Sequence, residues 1–330
     1  MSFIGHYLPY FNDETPNYRE LLAPLNAEAV LQLANDTTSL RSEARYKLKQ
    51  LFRHCSAKLG LNEDVLAAME ECKAVVGGSF ISWFFRQSGS GEIAEAPPSV
   101  KSCLELFVPL SKTSDFVSRV QTSYGDRASI GARVSRDAVS GDEEDISSGA
   151  EHYFENRAVR SVTKMNLQTP TGITVVLVME SDFASAVAPI LAKSSWEDRK
   201  AMGPTGYFDF HYAWSRSLAL QHTRGLRREQ SLLLNTIISG ETGPDGSKEE
   251  HVCYQSSRCP LTLRSTMDNG VRSVAFNDLD AFLWTSKCPK LLSQPPLRWR
   301  HGGACNGCKT EKMDSVLEEG EWCESGSPIL

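Results

Sequence analysis

The residues with the clearest chemical potential stand in two short runs, Gly77-Gly78-Ser79 and Cys103-Leu104-Glu105. The first follows the apolar stretch Ala74-Val75-Val76. Two glycines after a strand let the backbone turn sharply and approach a ligand closely. The helix expected next would present free N–H groups and a partial positive charge, so Gly77, Gly78 and Ser79 could cradle phosphate oxygens. A tight turn before a buried helix uses the same residues, and that alternative stays open. In the second run, residues two apart on a strand share a face. Cys103 and Glu105 therefore point one way, Leu104 and Leu106 the other. An acid-x-acid pair at such a strand end is how phosphoryl-transfer chemistry seats two divalent metals over a triphosphate. Glu105 is the residue that would carry any catalysis, with Mg²⁺ as the implied ion.

Other clusters allow different chemistry. Cys305-Asn306-Gly307-Cys308 is a Cys-x2-Cys knuckle, with His301 before it and Cys323 after it. Those four residues could hold Zn²⁺ in a tetrahedral site and stabilise an interaction module. The second pair is not closely spaced, and reduced cysteines in a loose tail explain the same pattern. Arg224, Arg227 and Arg228 near His222, and Arg298, Arg300 and Lys309 near Trp299, are two basic clusters. Solvated faces and ion pairs account for them as well as nucleic acid does. No Gly-x-Ser-x-Gly elbow, Walker loop, Gly-x-Gly-x-x-Gly after a strand or His-Glu-x-x-His is present.

The elements that must position the two runs follow from periodicity and punctuation. Asn26–Ala34 and Ser39–Leu59 have helical spacing, the latter with Ser39 as cap and Gly60 as stop, and Asn62 caps a third helix to Lys73. Phe80–Arg86 reads as a buried helix, Gln87–Ser99 as a loop, Cys103–Leu110 as a strand and Ser111–Gln121 as a helix. Ala158–Leu167 and Gly172–Glu180 form the strongest hairpin, turned at Thr169-Pro170-Thr171-Gly172. Asp182–Leu191 reads as a helix, Gly206–Ala213 as a strand and Asn277–Thr285 as a short helix.

With strand, Gly-Gly-Ser, helix and acid-bearing strand in that order, the chain resembles the polymerase-β-like nucleotidyltransferase superfamily. It is most similar to an expanded group of such proteins from mushroom-forming fungi. Their Ser-Asp-Leu-Asp-[aliphatic]-[Phe/Tyr]-Val strand is matched by Ser102–Val108 at five of seven positions. The resemblance spans roughly residues 65–230 and also takes in Val162–Glu180 and Ala188-Pro189-Ile190-Leu191. It implies an α+β fold: a nucleotidyltransferase-like core, a small mixed sheet flanked by helices, with helical N- and C-terminal additions. The implied organisation is a helical region over 1–73 and a core over 74–213 with a flexible acidic insertion near 136–151. A mainly helical region over 214–287 and a Cys/Pro/Gly-rich tail over 288–330 follow. The same resemblance places Cys103 and Thr174 where metal-binding carboxylates belong. A thiol is a poor Mg²⁺ ligand and a threonine carries no charge. The implied protein is a degenerate transferase that retains a site for a nucleotide or another phosphorylated small molecule. The alternatives are an active transferase that pairs Glu105 with Glu180 or Asp182, and the zinc-stabilised interaction protein.

Composition sets the outer limits. The 330 residues are 41% hydrophobic and 23% charged, enough for a sizeable core, and the net charge of −6 gives no global attraction to nucleic acid or anionic lipid. The apolar stretch Ala74–Phe85 is too short and too interrupted to span a bilayer. Nine cysteines, an odd number, suit reduced thiols, and with no secretory leader at Met1 the expected compartment is intracellular, cytoplasmic or nuclear.

Overall fold

The computed structural model describes residues 22, 25–36, 40–87, 93–139, 151–193, 199–210, 262–266, 271–276, 295–300 and 316–319. Three helices lead in: α1 (Ala27–Asp36), α2 (Arg41–Lys58) and α3 (Glu63–Cys72). Leu40 occupies the cap position of α2 and makes no side-chain cap bond. Ser39, the expected cap, lies outside the described residues. Gly60 follows α2 with φ +83°, the left-handed backbone that ends helices. Asn62 caps α3 through its side-chain oxygen, which accepts from the Val65 amide at 3.0 Å.

The chain then enters β1 (Val75–Val76), turns at the glycines into α4 (Ser79–Phe85), and passes through α5 (Pro98–Ser102) to β2 (Leu104–Val108). Next come α6 (Thr113–Tyr124), β3 (Ala128–Ser135) and two single-turn helices, α7 (Arg136–Val139) and α8 (Glu151–Phe154). The hairpin is β4 (Val159–Thr169) and β5 (Gly172–Ser181), followed by α9 (Ala188–Leu191), β6 (Lys200–Gly203) and β7 (Gly206–Asp209). Four short strands complete the described chain: β8 (Arg264–Ser265), β9 (Arg272–Ala275), β10 (Leu297–Arg300) and β11 (Val316–Glu319).

The architecture is α+β, as expected, and the sheet is larger than the small one anticipated. It has eight strands in the order β3-β4-β5-β2-β1-β6-β7-β9. β2 and β5 pair in parallel and the remaining neighbours are antiparallel, so the sheet is mixed. Strand β9 belongs to the stretch 214–287 that was expected to be mainly helical; its described parts are strands, and Asn277–Thr285 lies outside the described residues. The tail likewise contributes structure. β10 pairs with β11 and β8 in a second, three-stranded sheet. Leu297 and Trp299 are buried there, while Arg298 points outward opposite Glu318. That alternation is a strand's period of two, and it turns the basic run near Trp299 into a structural element.

The central strands are covered on both faces. Leu104, Leu106, Val108, Val176 and Val178 pack under the helices with Phe52, Phe80, Phe84 and Phe116. On the other face Val75, Phe107, Leu177 and Met179 pack with Ile190, Phe208, Phe210 and Trp299. Residues buried on both sides of a strand give a continuous apolar run, which is what Leu104-Glu105-Leu106-Phe107-Val108 shows with Glu105 as its single interruption. Among the described residues no helix is long and apolar enough to cross a membrane.

Candidate functional site

Strand pairing brings the glycine turn to Glu105. β1 runs antiparallel to β2 with Val75 opposite Phe107 and Val76 opposite Leu106. The Gly77 amide, next in line, donates to the Glu105 carbonyl at 3.2 Å. Gly78 holds φ +59° and ψ −139°, and a Cβ there would fall 2.4 Å from Glu105 Oε2. A Cβ on Gly77 would meet the Phe107 ring at 3.0 Å. Both glycines are therefore required by close packing on the β2 side chains, and Gly78 by its backbone conformation as well. Ser79 opens α4 and is partly exposed, as is Gly78. The helix has only seven residues, under two turns, so its dipole is a weaker source of positive charge than a full-length helix would supply.

The positive charge at Glu105 comes from a side chain. Lys193 Nζ lies 2.6 Å from Glu105 Oε2, with both side chains 19% exposed. The same ammonium sits 5.4 Å from the centre of the Phe107 ring. Its backbone is held too: the buried Arg199 guanidinium donates to the Lys193 carbonyl from Nε at 3.0 Å and Nη2 at 2.7 Å. Burial, with the Arg264 charge second, lowers the Arg199 pKa to about 10. Lys200, one residue on, places its ammonium 5.9 Å from the Phe85 ring at the end of α4.

Cys103 is half-buried just before β2 and packs against the same cluster as Phe107. Its sulfur lies 3.7 Å from the Tyr153 hydroxyl. Burial pushes the thiol pKa up, opposed in part by the Tyr153 hydrogen bond; burial raises the Tyr153 phenol as well. A thiol held protonated is neither a metal ligand nor a ready nucleophile.

The parallel register of β2 and β5 decides which other groups can join Glu105. Leu104 pairs with Val176, Glu105 with Leu177 and Val108 with Glu180. Ile173, Val175, Leu177 and Met179 share the Glu105 face, and none is an acid. Thr174 is buried and belongs to the opposite face, with Val176 and Val178. The structure thus does not bring Thr174 to Glu105; the expectation was off by one residue of strand parity. Glu180 is also on the opposite face, 3% exposed, and fully engaged. It accepts from the Ser111 amide at 2.8 Å, the Ser161 hydroxyl at 2.7 Å and the Arg133 guanidinium at 2.5 Å. Asp182 accepts from Arg136 at 2.6 Å. The altered metal site built from Glu105 with Glu180 or Asp182 is therefore not assembled: the sheet stands between Glu105 and Glu180, and both alternatives have arginine partners.

A pair of Mg²⁺ ions does not fit this donor set. One carboxylate, already neutralised by an ammonium and flanked by a protonated thiol, cannot compensate four positive charges. Among the described residues no group of three or more His, Cys, Asp and Glu side chains could hold a metal. Cys305, Cys308, His301 and Cys323, the expected zinc ligands, lie outside the described residues, as do Arg224, Arg227 and Arg228. Lys193 is the residue that motif reasoning missed; it stands 88 positions from Glu105, in no recognisable pattern. The chain matches no protein-family model, no curated protein and no solved structure.

Proposed function

We propose that this chain is a nucleotidyltransferase-like module that binds an anionic, phosphate-bearing ligand at the glycine turn without divalent metal and without nucleotidyl transfer. The observation that carries this is the Lys193–Glu105 ion pair beside Gly78. An internal ammonium occupies the charge position that a metal would need, and a phosphate can draw on the same ammonium. Phosphate recognition by a lysine point charge needs no bidentate geometry, and the glycines, packed on Phe107 and Glu105, hold the partly exposed Gly78–Ser79 backbone beside that pair.

The test is isothermal titration of the full chain with ATP, GTP, CTP and UTP, each with and without Mg²⁺. The expected result is binding that is indifferent to Mg²⁺ and weakened by Lys193→Ala. Absence of any triphosphate binding removes the ligand half of the proposal. Binding that requires Mg²⁺, or incorporation of labelled nucleotide that disappears in Glu105→Ala, overturns the non-catalytic half.

A further inference from the structure

A single oxygen stands between the two parts of the anion site. Glu105 Oε2 lies 2.6 Å from Lys193 Nζ, and a Cβ on Gly78 would fall 2.4 Å from the same atom. A phosphate oxygen that reached both the Gly78 backbone and the ammonium would have to take this atom's place. We infer, resting on the anion-binding reading above, that Glu105 is an internal competitor for that site. Its carboxylate is seated where the ligand's phosphate binds, and the ligand must exchange with it. Glu105 is then the residue that limits affinity.

The sign of its charge follows from what stands beside it. In a two-metal site a carboxylate draws in cations, and the cations draw in phosphate. With an ammonium fixed beside it instead, the same carboxylate takes up the charge that the ligand needs and repels the ligand as well. Glu105 is also well placed to win. It sits on β2 between the buried Leu104 and Leu106, in register with Leu177 of β5, and its carbonyl accepts from the Gly77 amide. A group carried beside its partner on a rigid strand acts at high effective concentration against a ligand in solution.

Lys193 has two further tethers, and neither depends on Glu105. The Phe107 ring lies 5.4 Å from the ammonium and attracts it through its face. The Arg199 guanidinium, 6% exposed, holds the Lys193 carbonyl through two N–H groups. Removing the charge of Glu105 therefore releases the ammonium without letting it leave the site.

The probe is ATP, titrated calorimetrically into the full chain without Mg²⁺. Glu105→Gln keeps the shape of the side chain and removes its charge. It should bind ATP about tenfold or more tightly than wild type. In the Lys193→Ala background the same substitution should bring no gain, because no ammonium is released. Glu105→Asp, one methylene shorter, withdraws the carboxylate from both contacts and should also tighten binding, which serves if the glutamine variant does not fold. Wild-type binding that the folded variant leaves unchanged or weakens overturns the inference and leaves the anion-binding reading standing. An equal gain in the Lys193→Ala background overturns it too, since Glu105 would then act only through the general field of the protein. Binding by neither wild type nor Glu105→Gln overturns both.

Discussion

Gly78 and Gly125 form a natural comparison at the scale of single residues. Both hold positive φ, +59° and +55°, yet an added Cβ meets Glu105 Oε2 at 2.4 Å in the first and nothing within 4 Å in the second. Gly125→Ala should cost about 1 kcal/mol, for backbone strain alone. Gly78→Ala should cost about 3 kcal/mol, because the carboxylate must also be displaced from Lys193. Urea denaturation of the two variants measures the difference. Equal losses would mean that Glu105 yields freely and that the turn does not define its position. The glycine turn and Glu105 were legible in the sequence because each sits in a local motif. Lys193 was not, because an ion pair between residues 88 apart depends on tertiary packing that no local pattern encodes. Thr174 illustrates a subtler limit: spacing picked out β5, which pairs with β2, but only the register between them settles which face each residue takes.

Among the elements, the buried carboxylate of Glu180 acts as a fastener. Its partners come from three places: Ser111 in the β2–α6 connection, Ser161 on β4 and Arg133 on β3. Ser111 adopts φ +64°, unusual for a residue with a side chain, and its amide points to Glu180. Arg133 also donates to the Ser161 hydroxyl at 3.1 Å, so the group is closed on itself. Glu180→Ala leaves these donors without their acceptor and should cost about 3 kcal/mol by urea denaturation. Triphosphate affinity should not change where the variant is folded, since Glu180 faces away from Gly78. A loss of affinity at full folding would show that the two faces communicate. Elements with strong local signals matched the sequence: the Asn62 cap, the glycine-turn helix and the β4–β5 hairpin. β3 was missed although Ala128, Ile130, Ala132 and Val134 alternate with Ser129, Gly131, Arg133 and Ser135, because two alanines and a glycine at a sheet edge carry little of the β-branched and aromatic bulk that marks a strand. The expected helix over Asp182–Leu191 shrinks to Ala188–Leu191. Ser181 instead ends β5 with its hydroxyl accepting from the Phe183 amide, a local bond that competes with helix.

For the whole molecule, the two cores on either face of one sheet make stability sensitive to any group that must stay neutral inside them. Cys55, fully buried on α2 among the helices, is the strongest case: burial lifts its thiol from about 9 up to about 12. Above pH 9 the unfolded chain has released this proton while the folded chain still holds it. Unfolding then releases a proton, so stability falls as pH rises, by up to ~1.4 kcal/mol per pH unit until the buried thiol itself ionises. The Tyr124 and Tyr153 phenols, also raised by burial, act in the same direction at higher pH, and Lys47, lowered by burial, acts against them. Cys55→Ala should therefore cost about 1 kcal/mol at neutral pH through lost packing. It should then lose stability more slowly than wild type between pH 9 and the alkaline limit. Unfolding free energies from urea titrations at neutral pH and at about pH 10 check this. Parallel decline of the two proteins would place the alkaline sensitivity elsewhere in the molecule.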